Sequence, residues 1–549
     1  MSRNDQLFRG YLDEMHALNE FVLNYHTDHK FSGLRSEMSS EDPDVNRLLE
    51  SIGFFSARIH DSVIRNVQSY RYRLYQQLFP YLLTPTPSSG ILSGSVSGLL
   101  TDPVTIDKGT DFIMRTPEGK EFFWQTRHSL TLYPITLRSI KVLPGNIIGS
   151  TLLLHFACKH PLHNRPDPLS LLIDYIGDVR SSFGLLTYIK EYLTSVRVHF
   201  GPATSAHDYD RSDWQEMDLP IYGSAGMKEG IDQNEPLHPI EIERLFFKDP
   251  RQELFIHLAL PKVDEPIFSF SLEFNFSEPW PKRIIANKDI FKLNCVPIIN
   301  LRQMPARPTW VDGTITQHTI MSGQEDAGFE LCKHLGVYQL DKDGMTPLFP
   351  GVIARLSPCY EIESRVIEQR GRFFSNLITH YPEAFEEPVQ IVVEAVWHQP
   401  NFEEYRDSEA EFRPYAFNIL GVSWEWAFLP MSRVSQPDLS QTSEALLDIL
   451  QISHKRFFST EDIKSIMQLM GTITDGPYRS VYAAFKSARY EFRTLDSTGI
   501  TPGFIIYFLT FEWEEIESND QMFRLFIQHL EIVLNHWSDE KEIRISLDN

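Results

Sequence analysis

Residues 42–87 carry the sequence DPDVNRLLESIGFFSARIHDSVIRNVQSYRYRLYQQLFPYLLTPTP. Asp42 can accept hydrogen bonds from the free amides of a first helical turn, and Pro43 fits the first helical position. Apolar residues then recur in steps of three and four, as they do along one face of an α-helix. They are Val45, Leu48, Leu49, Ile52, Phe55, Ile59, Val63, Val67, Tyr70, Leu74 and Leu78. The pattern predicts one long amphipathic helix.

This helix is predicted to end near Phe79. Pro80, Pro85 and Pro87 cannot continue it, because a proline has no amide hydrogen to donate. The face opposite the apolar one is predicted to be polar, with arginines scattered around it: Arg47, Arg58, Arg65, Arg71 and Arg73. A second helix is predicted before it, over Asn4–Leu34, with Gly33 as its stop. Residues 1–88 therefore predict a helical hairpin.

The pattern changes after this hairpin. From Gly90 to Leu301 the chain has short runs of valine, isoleucine, phenylalanine and tyrosine, separated by glycine, proline and aspartate. We predict a β-rich domain over 89–301 with one embedded helix at Arg180–Leu193. A second β-rich or mixed domain is predicted over 302–437, and an α+β domain over 438–549. The predicted fold class is thus α+β, with an N-terminal helical hairpin, a β-rich multi-domain body and a C-terminal α/β segment.

Three segments of the chain match, in order, the motifs of a known family. The first is Asp42–Ile59 together with the exit Pro80–Ser88. The second is Gly109–Ile135, which has a glycine turn, an aromatic strand ending in threonine, and a proline strand. The third is Phe291–Leu301, which contains Asn-Cys-Val-Pro-x-x-Asn-Leu. In these segments the sequence resembles the TssF family (VasA/ImpG-like), baseplate subunits of the bacterial type VI secretion system.

This resemblance implies a structural, non-enzymatic subunit of a wedge that resembles those of phage baseplates. The implied partners are TssG, TssK, TssE, the spike protein VgrG and a second copy of the chain, assembled around the spike to support sheath assembly and contraction. The implied location is cytoplasmic, docked at the inner face of the inner membrane, which the chain meets only through the membrane complex. Proteins of this family contribute helices to a shared bundle. We therefore expect Leu48, Ile52, Phe55 and Ile59 to pack against a partner.

Composition restricts the other classes of function. The chain has 549 residues, 42% of them hydrophobic and 12% aromatic, which is ample for a core and for stable protein contacts. Its net charge of −23 repels phosphate backbones, so nucleic-acid binding is disfavoured. The N-terminus carries no apolar signal core. Phe504–Phe511 is far too short to span a bilayer.

The cysteines indicate reduced thiols in a cytosolic protein. They are Cys158, Cys295, Cys332 and Cys359, and they lie far apart without Cys-x-x-Cys spacing.

Several clusters resemble chemical sites. Four residues of ligand type lie between positions 155 and 163: His155, Cys158, His160 and His163. Strand alternation there would point ligands to opposite faces, so we interpret them as surface or hydrogen-bonded histidines. His26 and His29 lie three residues apart at a helix end, where the helix dipole favours cationic histidine.

A second group of patterns fails on spacing. Asp208, Asp210 and Asp213 resemble part of a calcium loop, but Asp213 replaces the glycine of the sixth position and Leu219 the glutamate of the twelfth. Residues 94–98 resemble the nucleophile elbow of serine hydrolases, but their serines lie on either side of the middle position, where the nucleophile would have to be. We therefore assign no catalytic residue, no cofactor and no metal ion.

Two rival interpretations stay open. One is a baseplate protein of another phage-like contractile particle. The other is a β-rich carbohydrate-binding or hydrolytic protein that uses exposed aromatic residues such as Trp397, Trp424 and Trp426.

Overall fold

The structure is a computed structural model of the chain. It describes residues 3–28, 43–144, 149–201, 214–223, 237–324, 328–341, 344–351, 357–367, 372–382, 387–406, 409–431, 443–471, 476–493, 503–512, 520–538 and 542–548. Asp42, Gly33 and the predicted connection between the first two helices lie outside these residues.

The α-helices are α1 (Arg3–Asp28), α2 (Pro43–Leu78), α3 (Pro80–Leu83), α4 (Val179–Tyr192), α5 (Pro239–Lys248), α6 (Ser443–Ser453), α7 (Thr460–Leu469), α8 (Arg479–Ala484) and α9 (Gln521–Trp537). The first fifteen strands are β1 (Ser89–Val96), β2 (Val104–Ile106), β3 (Asp111–Arg115), β4 (Glu121–Thr126), β5 (Leu130–Leu132), β6 (Ile135–Pro144), β7 (Ser150–Leu162), β8 (Leu169–Ile173), β9 (Leu193–Phe200), β10 (Gln215–Met217), β11 (Ile221–Tyr222), β12 (Phe255–Leu258), β13 (Ile267–Phe276), β14 (Phe291–Lys292) and β15 (Cys295–Ile299). The others are β16 (Arg302–Pro305), β17 (Thr309–Val311), β18 (Gln317–Thr319), β19 (Glu330–Asp341), β20 (Gly344–Pro347), β21 (Phe349–Pro350), β22 (Cys359–Ile367), β23 (Arg372–His380), β24 (Val389–His398), β25 (Glu411–Pro414), β26 (Val422–Met431), β27 (Phe485–Arg493), β28 (Phe504–Phe511) and β29 (Ile543–Asp548).

The predicted α+β class is confirmed. Two helices come first, a β-rich body follows, and helices again accompany strands after residue 443. The embedded helix predicted at Arg180–Leu193 is α4. Helix α5 and the last strand β29 are elements that the sequence pattern did not predict.

Six strands between Ser89 and Met431 form a closed barrel in the order β1-β15-β4-β3-β25-β26. Aromatic rings fill it: Trp124 is fully buried, and its ring meets that of Phe402 at 4.8 Å. Because β25 and β26 come from residues 411–431, the barrel joins strands from both ranges that were predicted as separate β-rich domains. The domain boundaries themselves remain a prediction.

The largest core lies beside the barrel. The sheet β10-β9-β13-β7-β6 and the sheet β11-β12-β8-β14 contribute to it together with α4 and α5. The C-terminal elements α7, α9 and β28 bury their apolar faces in the same core. The C-terminal segment is therefore packed into the body.

Two further sheets enclose a smaller core between residues 302 and 398. Their strand orders are β16-β24-β19-β20, with β17 also on β24, and β18-β23-β22-β21. Val311, Val337, Ile391 and Trp397 fill the space between them.

The proline exit of α2 is held by a buried cation. The short helix α3 begins at Pro80, which fits a first helical position, so the exit contains one helical turn rather than only extended chain. From α5, Arg244 donates hydrogen bonds to the carbonyl oxygens of Tyr81 (3.1 Å) and Thr84 (2.9 Å). Burial lowers the pKa of Arg244 to about 10, while nearby Glu241 opposes this shift. The guanidinium is therefore still charged at pH 7.

Neighbouring contacts extend this anchor. The Thr84 hydroxyl donates to Glu241 over 2.5 Å, and Lys333 Nζ lies 3.1 Å from the other oxygen of that carboxylate. The ring of Tyr81 stacks on His238 at 4.2 Å, and the ring of Phe79 stacks on Trp537 of α9. The exit thus joins α5, β19 and the C-terminal helix.

A second buried ion pair follows at the end of α5. Arg251 Nε and Asp249 Oδ1 are 2.6 Å apart, both side chains are buried, and Ser89 of β1 donates to Asp249 Oδ2 over 2.8 Å. Burial alone would raise the pKa of Asp249, but the charge and hydrogen bonds of Arg251 hold that pKa below its usual range. This pair fastens the first barrel strand to α5.

We predict that Arg244→Met loosens the proline exit. The change removes the donor that Arg244 supplies to the carbonyl oxygens of Tyr81 and Thr84, which should cost about 1–3 kcal/mol of unfolding free energy. Hydrogen exchange of amides 81–84 should become faster than in the unchanged protein. The exposed Arg180, which donates to Ser480, supplies the control: Arg180→Met should change stability by less than about 0.5 kcal/mol. Unchanged exchange in the Arg244 variant would contradict the anchoring role.

We also predict that Arg251→Met destabilises the body by about 3–5 kcal/mol, because it leaves the Asp249 carboxylate buried without a cation. Urea unfolding followed by tryptophan fluorescence measures this loss. The matched control is Arg115→Met, which removes an exposed pair with Glu121 at 3.6 Å and should have little effect. Equal unfolding midpoints for the two variants would refute the prediction.

Candidate docking surface on the N-terminal hairpin

Helices α1 and α2 pack through small residues on α2. Gly53 and Ala57 are buried, and a β-carbon at Gly53 would lie only 2.9 Å from Met15 Sδ of α1. Tyr11 of α1 lies beside the same glycine. The side of α1 that carries Tyr11 and Met15 therefore meets α2. However, it meets the α2 face that was predicted to be polar, because Gly53 and Ala57 allow the helices to approach closely.

The apolar face of α2 points the other way and is exposed. The accessible fractions of the four predicted partner residues are 63% for Leu48, 46% for Ile52, 60% for Phe55 and 64% for Ile59. Val63 and Val67 continue the same row and are also exposed. We call these six residues the α2 stripe. Whether a partner covers them stays a prediction.

The α2 stripe is long enough for a helix-to-helix interface. At 1.5 Å per residue, Leu48 and Val67 lie about 28 Å apart along the helix. Full burial of a leucine, isoleucine or phenylalanine side chain is worth about 1.5–3 kcal/mol. Contiguous apolar surface of this kind typically marks a protein interaction site.

The hairpin also exposes apolar residues that the sequence analysis missed. Phe8 and Leu12 of α1 are exposed, four residues apart on one side of the helix. Their spacing of four residues was the available signal in the sequence. These two residues add apolar surface to α1.

The potential metal ligands of β7 are engaged with the protein. His155 Nδ1 lies 3.1 Å from the Ser271 hydroxyl, and His160 Nε2 lies 2.7 Å from the Gly98 carbonyl oxygen. Burial raises the pKa of Cys158 to about 11, so its thiol is protonated at pH 7. Among the residues that the structure describes, no three His, Cys, Asp or Glu side chains are grouped to hold a metal ion.

The other two candidate clusters cannot be compared with the structure. His29, Asp208, Asp210 and Asp213 lie outside the described residues, as does the side chain of His26.

A cavity of about 180 Å³ lies between the barrel and the sheet that contains β8 and β12. His128 and His257 line it, and burial lowers their pKa values to about 3 and about 4. Both imidazoles are therefore neutral at pH 7. His257 is already engaged with the Ser170 hydroxyl at 2.8 Å.

The motif residues that carry the family resemblance have structural roles. Asn300 Nδ2 donates to the Phe123 carbonyl, and its Oδ1 accepts from the backbone amide of Gln399, both at 2.8 Å. Asn294 adopts a left-handed backbone (φ 54°), and its Oδ1 accepts from the Tyr133 amide. The motif between Phe291 and Leu301 thus ties the barrel to its neighbours.

The tryptophans of the carbohydrate-binding hypothesis are not exposed platforms. Trp397 is 1% exposed, and its Nε1 donates to the Met304 carbonyl. Trp424 is buried and Trp426 half-buried, each with its ring against Phe112 or Trp124 of the barrel. The prediction that these residues are exposed is wrong. Side chains alternate between the two faces of a strand, and these three lie on the faces that point into the cores.

None of the helices in the described part of the chain is both long and apolar enough to cross a membrane.

Comparison with known proteins finds the same fold in two solved baseplate structures. A chain of the type VI secretion system TssK-TssF-TssG baseplate subcomplex, determined by cryo-electron microscopy, matches with a TM-score of 0.69 and 17% identity, covering 92% of this chain and 96% of that chain. A chain of the baseplate complex from the type VI secretion system matches with a TM-score of 0.59 and 14% identity, covering 98% and 96%. No curated protein matches this sequence.

The family comparison concerns the N-terminal part of the chain. Residues 3–196 match the model described as type VI secretion system, TssF. This range contains α1, α2, the proline exit and the second motif, while the third motif at Phe291–Leu301 lies beyond it. The N-terminal third of the chain thus matches the TssF family of the type VI secretion system, and the chain as a whole shares its fold with the two solved baseplate proteins.

Proposed function

We propose that this protein is a structural, non-enzymatic subunit of the type VI secretion system baseplate wedge, and that the α2 stripe packs against helices of a partner. One observation carries the proposal. The stripe through Leu48, Ile52, Phe55 and Ile59 is exposed even though α2 already packs on α1 through its opposite face. Within the hairpin, α1 covers one face of α2. The stripe on the other face would be buried by a second neighbour, which we propose is a helix of the partner.

TssG is our proposed partner for the α2 stripe. The solved subcomplex with the same fold contains TssK, TssF and TssG together, and the family match covers the hairpin. We extend the assembly to TssK, to TssE, to the spike protein VgrG and to a second copy of this chain. The family match supports the secretion system over another phage-like contractile particle.

The proposed mechanism is mechanical. The subunit works in the cytoplasm at the inner face of the inner membrane, which it reaches through the membrane complex. Several interfaces hold the extended wedge until a signal shifts them together, as in other switching assemblies. The stiff anchor at Arg244 would pass a displacement of the hairpin to α5 and the body, because its hydrogen bonds join both.

We predict that Phe55→Asp weakens co-purification with TssG by tenfold or more. A buried aromatic at an interface centre is worth about 2 kcal/mol or more, and the aspartate would add a buried unpaired charge. Co-expression of the full-length chain with tagged TssG, followed by quantification of the bound fraction, measures the effect.

The matched control is Leu420→Asp, which places the same charge on an exposed leucine outside the hairpin. It should leave the bound fraction unchanged. Circular dichroism checks that the Phe55 variant remains helical. A well-folded Phe55 variant that still co-purifies fully would contradict the proposed docking surface.

We further predict that the co-expressed complex contains two copies of this chain for each TssG. Native mass measurement of the purified complex should then give the mass of TssG plus twice that of the chain. A mass with one copy would contradict the proposed pairing but not the contact with TssG.

A further inference from the structure

A second exposed surface lies on the sheet of β16, β17, β19, β20 and β24. The register places four residues side by side across it, because Trp310 pairs with Gln390, Gln390 with Leu340, and Leu340 with Met345. We call these four residues the outer row. In the next row, Val392 pairs with Tyr338 and Tyr338 with Pro347. Val392 is only 5% exposed, so the exposed apolar surface consists mainly of the outer row.

The outer row is open to solvent. Trp310 is 62% exposed, Leu340 39% and Met345 56%, whereas the residues that alternate with them, Val311 and Ile391, are each 1% exposed. The same side of the sheet is covered farther along, where Val396 and Cys332 pack with Leu245 of α5. The body thus covers one end of this face and leaves the other end apolar and exposed.

The dimensions suit an α-helix. Four strands spaced about 4.8 Å apart place Trp310 and Met345 about 14 Å from each other. An α-helix lying across the strands covers that distance with about ten residues, because each adds 1.5 Å. Apolar side chains at positions i, i+7 and i+10, about 10 and 15 Å along the helix, would then meet the three apolar members of the row.

Charges at the borders define the chemistry of the partner. Asp312, Asp341 and Glu387 are exposed at the sheet end next to the outer row. Asp312 accepts hydrogen bonds from Thr314, and Asp341 from Gln339 and Thr346, all of which are neutral donors. On the same side of β24, Glu394 lies two positions beyond Val392. The two rows themselves consist of Trp310, Gln390, Leu340, Met345, Val392, Tyr338 and Pro347, none of which is cationic.

We infer that the outer row docks a basic amphipathic helix of another protein, with apolar residues against Trp310, Leu340 and Met345 and with lysine or arginine towards Asp312, Asp341 and Glu387. The surface is separate from the hairpin, so the inference does not depend on the proposed contact with TssG. Carboxylates on both borders exclude an anionic partner by repulsion.

The test uses the full-length chain and a fluorescent synthetic helix of about 18 residues, long enough to be helical when bound. The helix consists of leucine and lysine, with leucine at i, i+3, i+4 and i+7. Anisotropy titration measures its dissociation constant. Trp310→Asp and, on the edge strand, Met345→Asp should each weaken binding about tenfold or more.

The choice of aspartate separates apolar docking from simple charge attraction. Each variant makes the chain more acidic, so a purely electrostatic contact would become tighter instead of weaker. The control is Phe268→Asp on β13, an aromatic residue with 65% exposure in another sheet. Binding by this variant should stay within about twofold of the unchanged protein.

Three results would overturn the inference. The first is equal affinity of the Trp310, Met345 and Phe268 variants, which would place the peptide elsewhere. The second is equal binding of a peptide with glutamate in place of lysine. The third is that the chain binds anionic lipid vesicles and that Trp310→Asp weakens this binding as much as it weakens binding of the peptide. That result would assign the face to a membrane.

Discussion

The buried guanidinium of Arg244 is the contact on which the arrangement of this protein depends. It donates to two carbonyls of the chain that leaves α2, while its own helix α5 packs into the largest core. Prolines remove amide donors from this exit, so its carbonyl oxygens need donors from elsewhere. The Arg244 guanidinium supplies donors to two of them and so joins the exit of the hairpin to α5.

The segments that resemble the family serve both the interior and the surface, because Phe291–Leu301 lies around the barrel whereas Asp42–Ile59 carries most of the exposed α2 stripe. Asn294 and Asn300 close turns and satisfy backbone groups around the barrel. The α2 stripe and the outer row need only apolar side chains at the right spacing.

Features that depend on residues close together in the sequence could be predicted, whereas features that depend on distant residues could not. Helix α2 was predictable because its periodicity is local and its end is set by Pro80. The exposure of Trp397 was predicted wrongly, because a single strand shows alternation but not which side the second sheet will cover. The helix α5 was not predicted, because its ten residues lie within a range dominated by short strand-like runs.

The sequence by itself determined the α+β class, the long helix and its proline stop, and the apolar row through Leu48, Ile52, Phe55 and Ile59. These features follow from spacing, caps and missing amide donors, which act within a few residues. Only the tertiary structure decided that Gly53 and Ala57 would turn the opposite face towards α1 and leave that row exposed. It also decided that strands from residues 89–96 and 411–431 would close one barrel and that Arg244 would anchor the exit. These arrangements depend on contacts between residues that are far apart in the sequence. A local sequence pattern does not specify which distant residues will meet.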